Sequence, residues 1–498
     1  MVKSIHFRIG CSLLSMLIGT GVLVSSTSNP IQASEAYRAP VALESAYATQ
    51  TSFSATQTPF SVTQTPFSIT QTPLSATQTP YVAEPLFAAA TSPGRDYPWP
   101  SIVRKRFITI NHALLTSTNR FTLNMFSDTS LTAVLEQRQD RREALGPAAG
   151  DGFIWRGHIE NVEQSQVTLV VGDDTVVGNI YLPDVSNHYH IGYAGDGTSD
   201  VYAVYEIDHH QIPRGQGLIP EELNPFSSNE VPDPPPALCT GCSTAIGYLV
   251  LYTPAAKAWI GGQKHLENAV ALGVDYANIA YTNSNINQQL SLNNIREIDY
   301  VEFYSTVPPN VGYFPRIDLD RLTFPNDGWM DIVHHEEGSY ERGWRQIDRA
   351  DLVSLVEHAK FGGLGWIFAD EDPAWGFNNF DIDALSQGGG ILAHELGHNM
   401  GCGHARHNGT GGYRTWSWGY GDITGRFHDI MAYDCPTGAG GPCPQIQQFS
   451  NPDVLYCPCT GPDCPQVCLP TGIPYQEPDS ADCARTFTET GPIISNWR

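Results

Sequence analysis

Positive charge is scarce in this chain. Its 498 residues carry 27 Lys and Arg against 52 Asp and Glu, a formal net charge of −25. That balance argues against nucleic acid or an anionic membrane surface as a partner. Long apolar runs are missing too. After Val24 no stretch is long enough to cross a bilayer, so no membrane span is expected. Cysteine is absent between Cys11 and Cys239, which excludes a disulfide framework across that part.

The remaining features divide the chain into five segments. Lys3 and Arg8 precede an apolar run from Gly10 to Val24, and small residues follow up to Ala33. These are the flanks of a signal peptide, expected over 1–33, and they imply a secreted, extracellular or periplasmic protein. Residues 34–97 read as a disordered linker. Within it, 48–82 repeat five times with a period of seven (ATQTSFS, ATQTPFS, VTQTPFS, ITQTPLS, ATQTPYV), too poor in apolar residues to build a core. Residues 98–213 alternate: Val167, Leu169 and Val171, then Val176, Gly178, Ile180 and Leu182 across a Gly172-Asp173-Asp174 turn. Period two with turn signals predicts a small all-β unit, by its position a pro-domain. His188, His190, His209 and His210 fall here and read as solvated. Residues 214–243 are a Pro-rich acidic linker suited to activating cleavage. Residues 244–498 alternate strand and helix patterns, an α+β domain. A strand at Tyr248–Tyr252, an amphipathic helix through Leu266, Val270, Val274 and Ala277, a strand at Leu352–Val356 and an edge strand at Leu364–Phe368 are expected.

Ten cysteines follow Cys11, and eight of them lie from Cys402 onward. In an exported chain this predicts disulfides in a loop-rich C-terminal part, with the connectivity left open. Cys457-x-Cys459 and Cys464-x3-Cys468 could alternatively hold a second zinc.

The densest chemistry lies in His394-Glu395-Leu396-Gly397-His398-Asn399-Met400-Gly401-Cys402-Gly403-His404. His394 and His398 are four apart and project from one helix face, so both can reach one metal ion. Gly401 permits the turn that brings His404 round as a third imidazole. Three neutral imidazoles leave a fourth position open, the arrangement of a catalytic Zn²⁺ site. Glu395 is placed to act on water as a general base rather than to bind metal. Downstream, Asp429-Ile430-Met431-Ala432-Tyr433 supplies a Met-turn, the second mark of this motif. The zinc helix is expected over roughly 383–399.

On these residues the chain resembles metzincin zinc endopeptidases of the reprolysin-like (adamalysin-type) group, close to bacterial secreted members and peptidyl-Asp metallopeptidases. The resemblance runs from about Thr244 to Arg498. It includes Tyr248-Leu249-Val250-Leu251-Tyr252-Thr253-Pro254, Ala350-Asp351-Leu352-Val353, Phe449-Ser450-Asn451-Pro452 and Ile493-Ile494-Ser495-Asn496-Trp497-Arg498. Adamalysin-type proteins carry Asp after the third His, where this chain has Ala405. The resemblance implies a mixed twisted sheet, protein or peptide substrates, a zymogen, and a floor of Met431 beneath the metal. It also implies an oxyanion or fourth-ligand role for Tyr433. The pocket beyond the metal is expected between Ala405 and Tyr433 and just after, with Arg406, Arg414 and Arg426 as candidates for selecting an acidic residue after the cut. Asp370-Glu371-Asp372 and Asp381 with Asp383 are candidates for structural Ca²⁺.

Overall fold

The computed structural model describes residues 83–172, 174–183, 187–218, 245–307, 310–334, 342–436, 443–457 and 468–497. The signal segment, the heptad repeats, most of the 214–243 linker and Cys239, Cys242, Cys459 and Cys464 lie outside the described residues.

Nine antiparallel strands between Phe87 and Asp208 form one sheet. A parallel bridge between Pro85 and Thr122 joins its two ends, so the sheet curls into a barrel. Closure removes the free edges that an open sheet would expose. The alternation read from the sequence fills the interior: Trp155, Phe121, Leu169, Ile180 and Ile191 are buried together. The barrel unit takes in residues that the sequence places in the linker: within 83–97, Leu86 and Phe87 enter the barrel core, and Tyr97 stacks on Trp99 with ring centroids 4.5 Å apart.

The second sheet has six strands, in the order Gly215–Leu218, Gly363–Trp366, Phe377–Asp381, Leu352–Glu357, Ala245–Tyr252, Gln289–Glu297. The central strand Leu352–Glu357 is buried along its whole length, as a strand covered on both faces must be. Four of the five pairings are parallel, and Gly363–Trp366 runs antiparallel to Phe377–Asp381. The long helix Gln263–Asn283 packs on this sheet and beside the helix Gly390–Asn399. The expected single helix over 383–399 is two: Ile382–Leu385 and Gly390–Asn399. Gly388 and Gly389, at φ +118° and +80°, break the path between them.

The 214–243 segment is not a linker at its start. Gly215–Leu218 is a strand, paired in parallel with the rim strand Gly363–Trp366, which is therefore not a free edge.

The barrel and the six-stranded unit share a packed boundary. Arg156 pairs with buried Asp275, Arg141 Nη1 donates to Asn268 Oδ1 at 2.7 Å, and Trp99 Nε1 donates to Asp383 Oδ1 at 2.7 Å. The histidines expected to be solvated lie in this boundary: His188 and His190 are 1% and 2% exposed. His188 stacks on Tyr181 and lies 4.4 Å from His209, centroid to centroid. Sequence alternation shows which face of a strand is inward in its own sheet, but not that a second unit covers the other face.

Disulfides join Cys402 to Cys483, Cys435 to Cys443, and Cys457 to Cys468. The first ties the loop that follows the Gly390–Asn399 helix to the closing helix Cys483–Ile494. No helix among the described residues is long and apolar enough to cross a membrane.

Candidate active site

The helix Gly390–Asn399 ends in a Schellman turn. Gly401 N donates to His398 O at 2.8 Å and Cys402 N to Gly397 O at 2.9 Å, with Gly401 at φ +99°. That turn swings the chain back so that His404, on the short strand Gly403–Ala405, faces the helix. The ring centroids of His394 and His398 are 4.8 Å apart, of His398 and His404 4.8 Å, and of His394 and His404 5.4 Å. One nitrogen from each ring lies within 4.8 Å of the others, and this is the one such cluster of three metal-competent side chains among the described residues.

Two backbone carbonyls set the imidazole tautomers. His394 Nδ1 donates to Ile430 O and His398 Nδ1 to Cys402 O, both at 2.8 Å. A carbonyl only accepts, so Nδ1 holds the proton and Nε2 keeps a free lone pair. Burial pushes the imidazolium form away, taking His394 down to about 4, His404 to about 2 and His398 well below the ordinary range. The rings are thus held neutral, as metal ligands must be.

Glu395 points into the same space. Both of its carboxylate oxygens are buried without a hydrogen-bond partner, and burial raises its pKa well above the usual carboxylate range. Beneath the rings, a Cβ on Gly397 would lie 2.5 Å from Met431 Sδ, so the Met-turn packs directly against the helix backbone. Asp429 Oδ1 accepts from Met431 N at 3.0 Å and Ala432 N at 2.8 Å, which fixes the turn. The Tyr433 hydroxyl lies 2.9 Å from His404 Nε2 and donates to Gly215 O.

The strand Gly215–Leu218 lies across this centre. A Cβ on Gly215 would fall 1.8 Å from Glu395 Oε1, and one on Gly217 would fall 2.8 Å from the His398 ring. Only glycine allows the backbone so close. Nothing in the sequence pattern marked Gly215-Gln216-Gly217-Leu218 as part of the site.

A pocket of about 70 Å³ opens beside His394, lined on the catalytic side by Tyr276, Ile391, His428, Ile430, Tyr433 and Gln445. Only part of its wall falls between Ala405 and Tyr433, namely His428, Ile430, Ala432 and Tyr433; the helix Gly390–Asn399, Tyr276 and the segment 209–215 supply much of the rest. The three arginines do not line it: Arg406 donates to Ser480 O and Thr415 O, Arg414 pairs with Glu489, and Arg426 with Asp422. His428, which the sequence reading passed over, does. The acidic Ca²⁺ candidates serve as local hydrogen-bond acceptors. Asp370 Oδ1 accepts from Asp372 N, Asp381 from Ala359 N and Asp383 N, and Asp383 from Trp99 Nε1.

This geometry is that of a metal-dependent hydrolase, and comparison with known proteins agrees. Residues 244–450 match the family described as Metallo-peptidase family M12. This part of the chain is a metalloendopeptidase domain similar to the peptidyl-Asp metallopeptidases. The chain is similar to the peptidyl-Asp metalloendopeptidase of Xanthomonas campestris pv. campestris, 26% identical over 71% of this chain and 74% of that protein. It is also similar to the protein of the same name from Pseudomonas aeruginosa, 28% identical over 51% of this chain and 40% of that one. Among solved structures, a chaperone–substrate complex gives a TM-score of 0.36 at 18% identity, covering 52% of this chain and 36% of that one. Metalloproteinase-II from Bacteroides fragilis gives 0.32 at 7% identity, covering 59% of this chain and 85% of that one. Both likenesses are too slight to carry an argument.

Proposed function

We propose that the chain is an exported endopeptidase made as a zymogen, with Zn²⁺ held by His394, His398 and His404 and with Glu395 as general base. The residues present fit the ion. His394 Nε2 is buried without a partner, and the Nδ1 protons of His394 and His398 are committed to carbonyls on the far side of each ring. Bound there, zinc supplies a Lewis acid and brings water within reach of deprotonation near neutral pH. Glu395 takes the proton from the attacking water on its carboxylate and passes it to the departing amide nitrogen. Its raised pKa suits a group that must carry that proton between the two events. The Tyr433 hydroxyl donates to the backbone carbonyl of Gly215, and a substrate carbonyl in the same place would receive the same hydrogen bond as charge develops on its oxygen.

Latency follows from the position of Gly215–Leu218. This strand fills the rim-strand edge to which an extended substrate would add, and its glycines press on Glu395 and His398. No side chain of the strand reaches the centre as a ligand, so the block is backbone pairing and steric cover. The barrel anchors it from the N-terminal side, and cleavage in the following Pro-rich segment would let it leave. The relatives' name, peptidyl-Asp metalloendopeptidase, supports cleavage beside an aspartate.

The observation that carries this reading is the convergence of three neutral imidazoles and an unpartnered carboxylate. The test is Glu395→Ala in processed protein. Casein cleavage should fall by about 10³-fold or more while zinc stays bound. Wild-type turnover by a zinc-loaded Glu395→Ala protein would sink the mechanism. N-terminal sequencing of exported material locates the activating cut.

A further inference from the structure

We propose that His428 is the specificity-determining residue of the pocket beside His394, binding the side-chain carboxylate of the residue that follows the scissile bond once Gly215–Leu218 has left. The proposal rests on the endopeptidase reading above and names the group that reads the substrate.

The pocket needs a positive group to take an acidic side chain, since burying an unpaired carboxylate is costly. The catalytic unit contributes no Arg or Lys to its lining. The arginines nearest in sequence are committed to Glu489, Asp422 and backbone carbonyls elsewhere. Among the catalytic-side residues that line it, His428 and His394 alone can become cationic, and His394 belongs to the metal.

The hydrogen bonding of His428 then fixes how it can act. Its Nδ1 lies 2.9 Å from Asp429 O, which accepts only, so Nδ1 carries a proton. Its backbone is held on both sides, His428 N donating to Pro444 O at 2.9 Å and Ile446 N to His428 O at 2.8 Å, and turning the ring over would give up the bond to Asp429 O. Neutral His428 would therefore offer a bare lone pair at Nε2, which repels a carboxylate. The doubly protonated ring offers an N–H there, and a charge-assisted hydrogen bond. Recognition of an acidic side chain is thus coupled to uptake of one proton on His428.

In the latent form that proton is kept off. Burial takes His428 down to about 3, opposed by its bond to Asp429 O and reinforced by Arg214, His209 and His210. The groups facing it from the N-terminal side are those same three, with the His210 ring 6.5 Å away, centroid to centroid. From the catalytic side, Asp434 stands near His210, 3.9 Å from its Nε2. Departure of the cleft strand with Arg214, and of the barrel with His209 and His210, removes three nearby basic groups and opens the ring to water. Each change moves His428 back toward an ordinary histidine, able to charge when an aspartate enters. The Arg214 guanidinium, 5.2 Å from the Tyr433 ring centre, also gives the latent segment the charge opposite to that of the proposed substrate.

The experiment compares matched peptides with Asp, Asn or Leu after the cut, using processed wild type and His428→Gln, each checked for zinc content and thermal melting. Comparing substrates at one pH cancels whatever Glu395 and the metal contribute to both. In wild type, the Asp/Asn ratio of kcat/KM should fall about ten-fold from about pH 6 to about pH 8, as His428 loses its second proton. In His428→Gln the ratio should be lower by ten-fold or more at the acidic end and independent of pH. A variant that keeps the wild-type ratio overturns the proposal, as does a wild-type ratio that does not change with pH. The second result needs no variant to fold. Wild type that cuts peptides with no acidic preference also overturns it while leaving the endopeptidase reading intact. Wild type that cuts none of the three peptides, nor casein, overturns the endopeptidase reading itself.

Discussion

Two sets of histidines are buried in this protein, and they are buried to different ends. His394, His398 and His404 converge: their ring centroids lie about 5 Å from one another, and the free nitrogens face a common point. His188, His190, His209 and His428 lie along the boundary between the barrel and the catalytic unit; His188 and His209 are close, but among the described residues no three of these rings bring their nitrogens together. His188 stacks on Tyr181, His190 Nδ1 lies 2.9 Å from Asn179 Oδ1, and His428 Nδ1 bonds to Asp429 O. Burial holds both sets neutral for the same reason, the low polarizability of their surroundings. The difference is what protonation would cost. In the first set it would put charge where three ring nitrogens face one another. In the second it would put charge into the packed boundary between the barrel and the six-stranded unit. Burial and a depressed pKa do not by themselves mark a candidate metal site; convergence of lone pairs does.

The sharpest way to break the comparison is to remove one ring from each set. His404→Ala should leave processed protein with zinc much reduced and casein cleavage lower by about 10³-fold or more, because two imidazoles and a water hold the ion poorly. His190→Ala made in the precursor, then processed, should yield enzyme with normal zinc and turnover. Metal analysis and casein hydrolysis on both proteins read this directly. Zinc lost equally from both would erase the distinction drawn here.

The contrast between the two sets also shows what the sequence makes legible. The convergence of the first set could be read because helical spacing is a local rule: residues four apart share a face, and Gly401 announces the turn. The same holds for the strand at Ala245–Tyr252, the helix Gln263–Asn283 and the Met-turn. The boundary set could not be read, because nothing in the alternation of 187–193 says that a second unit covers that face. The strand Gly215–Leu218 was hidden for a related reason. Gly-Gln-Gly-Leu has no period, and its pairing partner, Gly363–Trp366, lies far along the chain. Likewise only part of the pocket wall lies in 405–433, and that part holds none of the arginines whose charge is visible there but does hold His428, whose tautomer is set by one carbonyl. Cysteine number foretold disulfides, yet that Cys402, inside the metal motif, reaches Cys483 is a fact of tertiary structure.

The hidden strand offers a second, somewhat smaller test. Gly215→Val in the full-length precursor sets a branched side chain where Glu395 already stands, so the strand should lift from the cleft. The expected result is precursor that cleaves a small peptide about ten-fold or more faster than wild-type precursor, with its barrel still attached, because overpacking of this kind costs about 1–3 kcal/mol. Gly262→Ala, where a Cβ would meet nothing within 4 Å, serves as the control. Unchanged latency in Gly215→Val would mean that the barrel, not the strand, closes the site.

The smallest effect expected is a dependence of precursor stability on acid. His190 and His428 are held near 3 and His209 near 4 by burial, with His188 also well below the ordinary range. An unfolded histidine titrates near 6.5. Because the folded values are lower, the opened state binds more protons at acid pH. Stability is therefore complete above about pH 6.5 and declines as pH falls toward the folded values, by at most about 1.4 kcal/mol per pH unit for each ring. The inactive Glu395→Ala precursor should melt at a lower temperature at about pH 5 than at about pH 7.5. The metal histidines titrate in the same direction, so the boundary set is isolated by difference: His190→Gln in that background should flatten the slope by one ring's share. A slope that His190→Gln does not change would leave His190 without part in the acid effect.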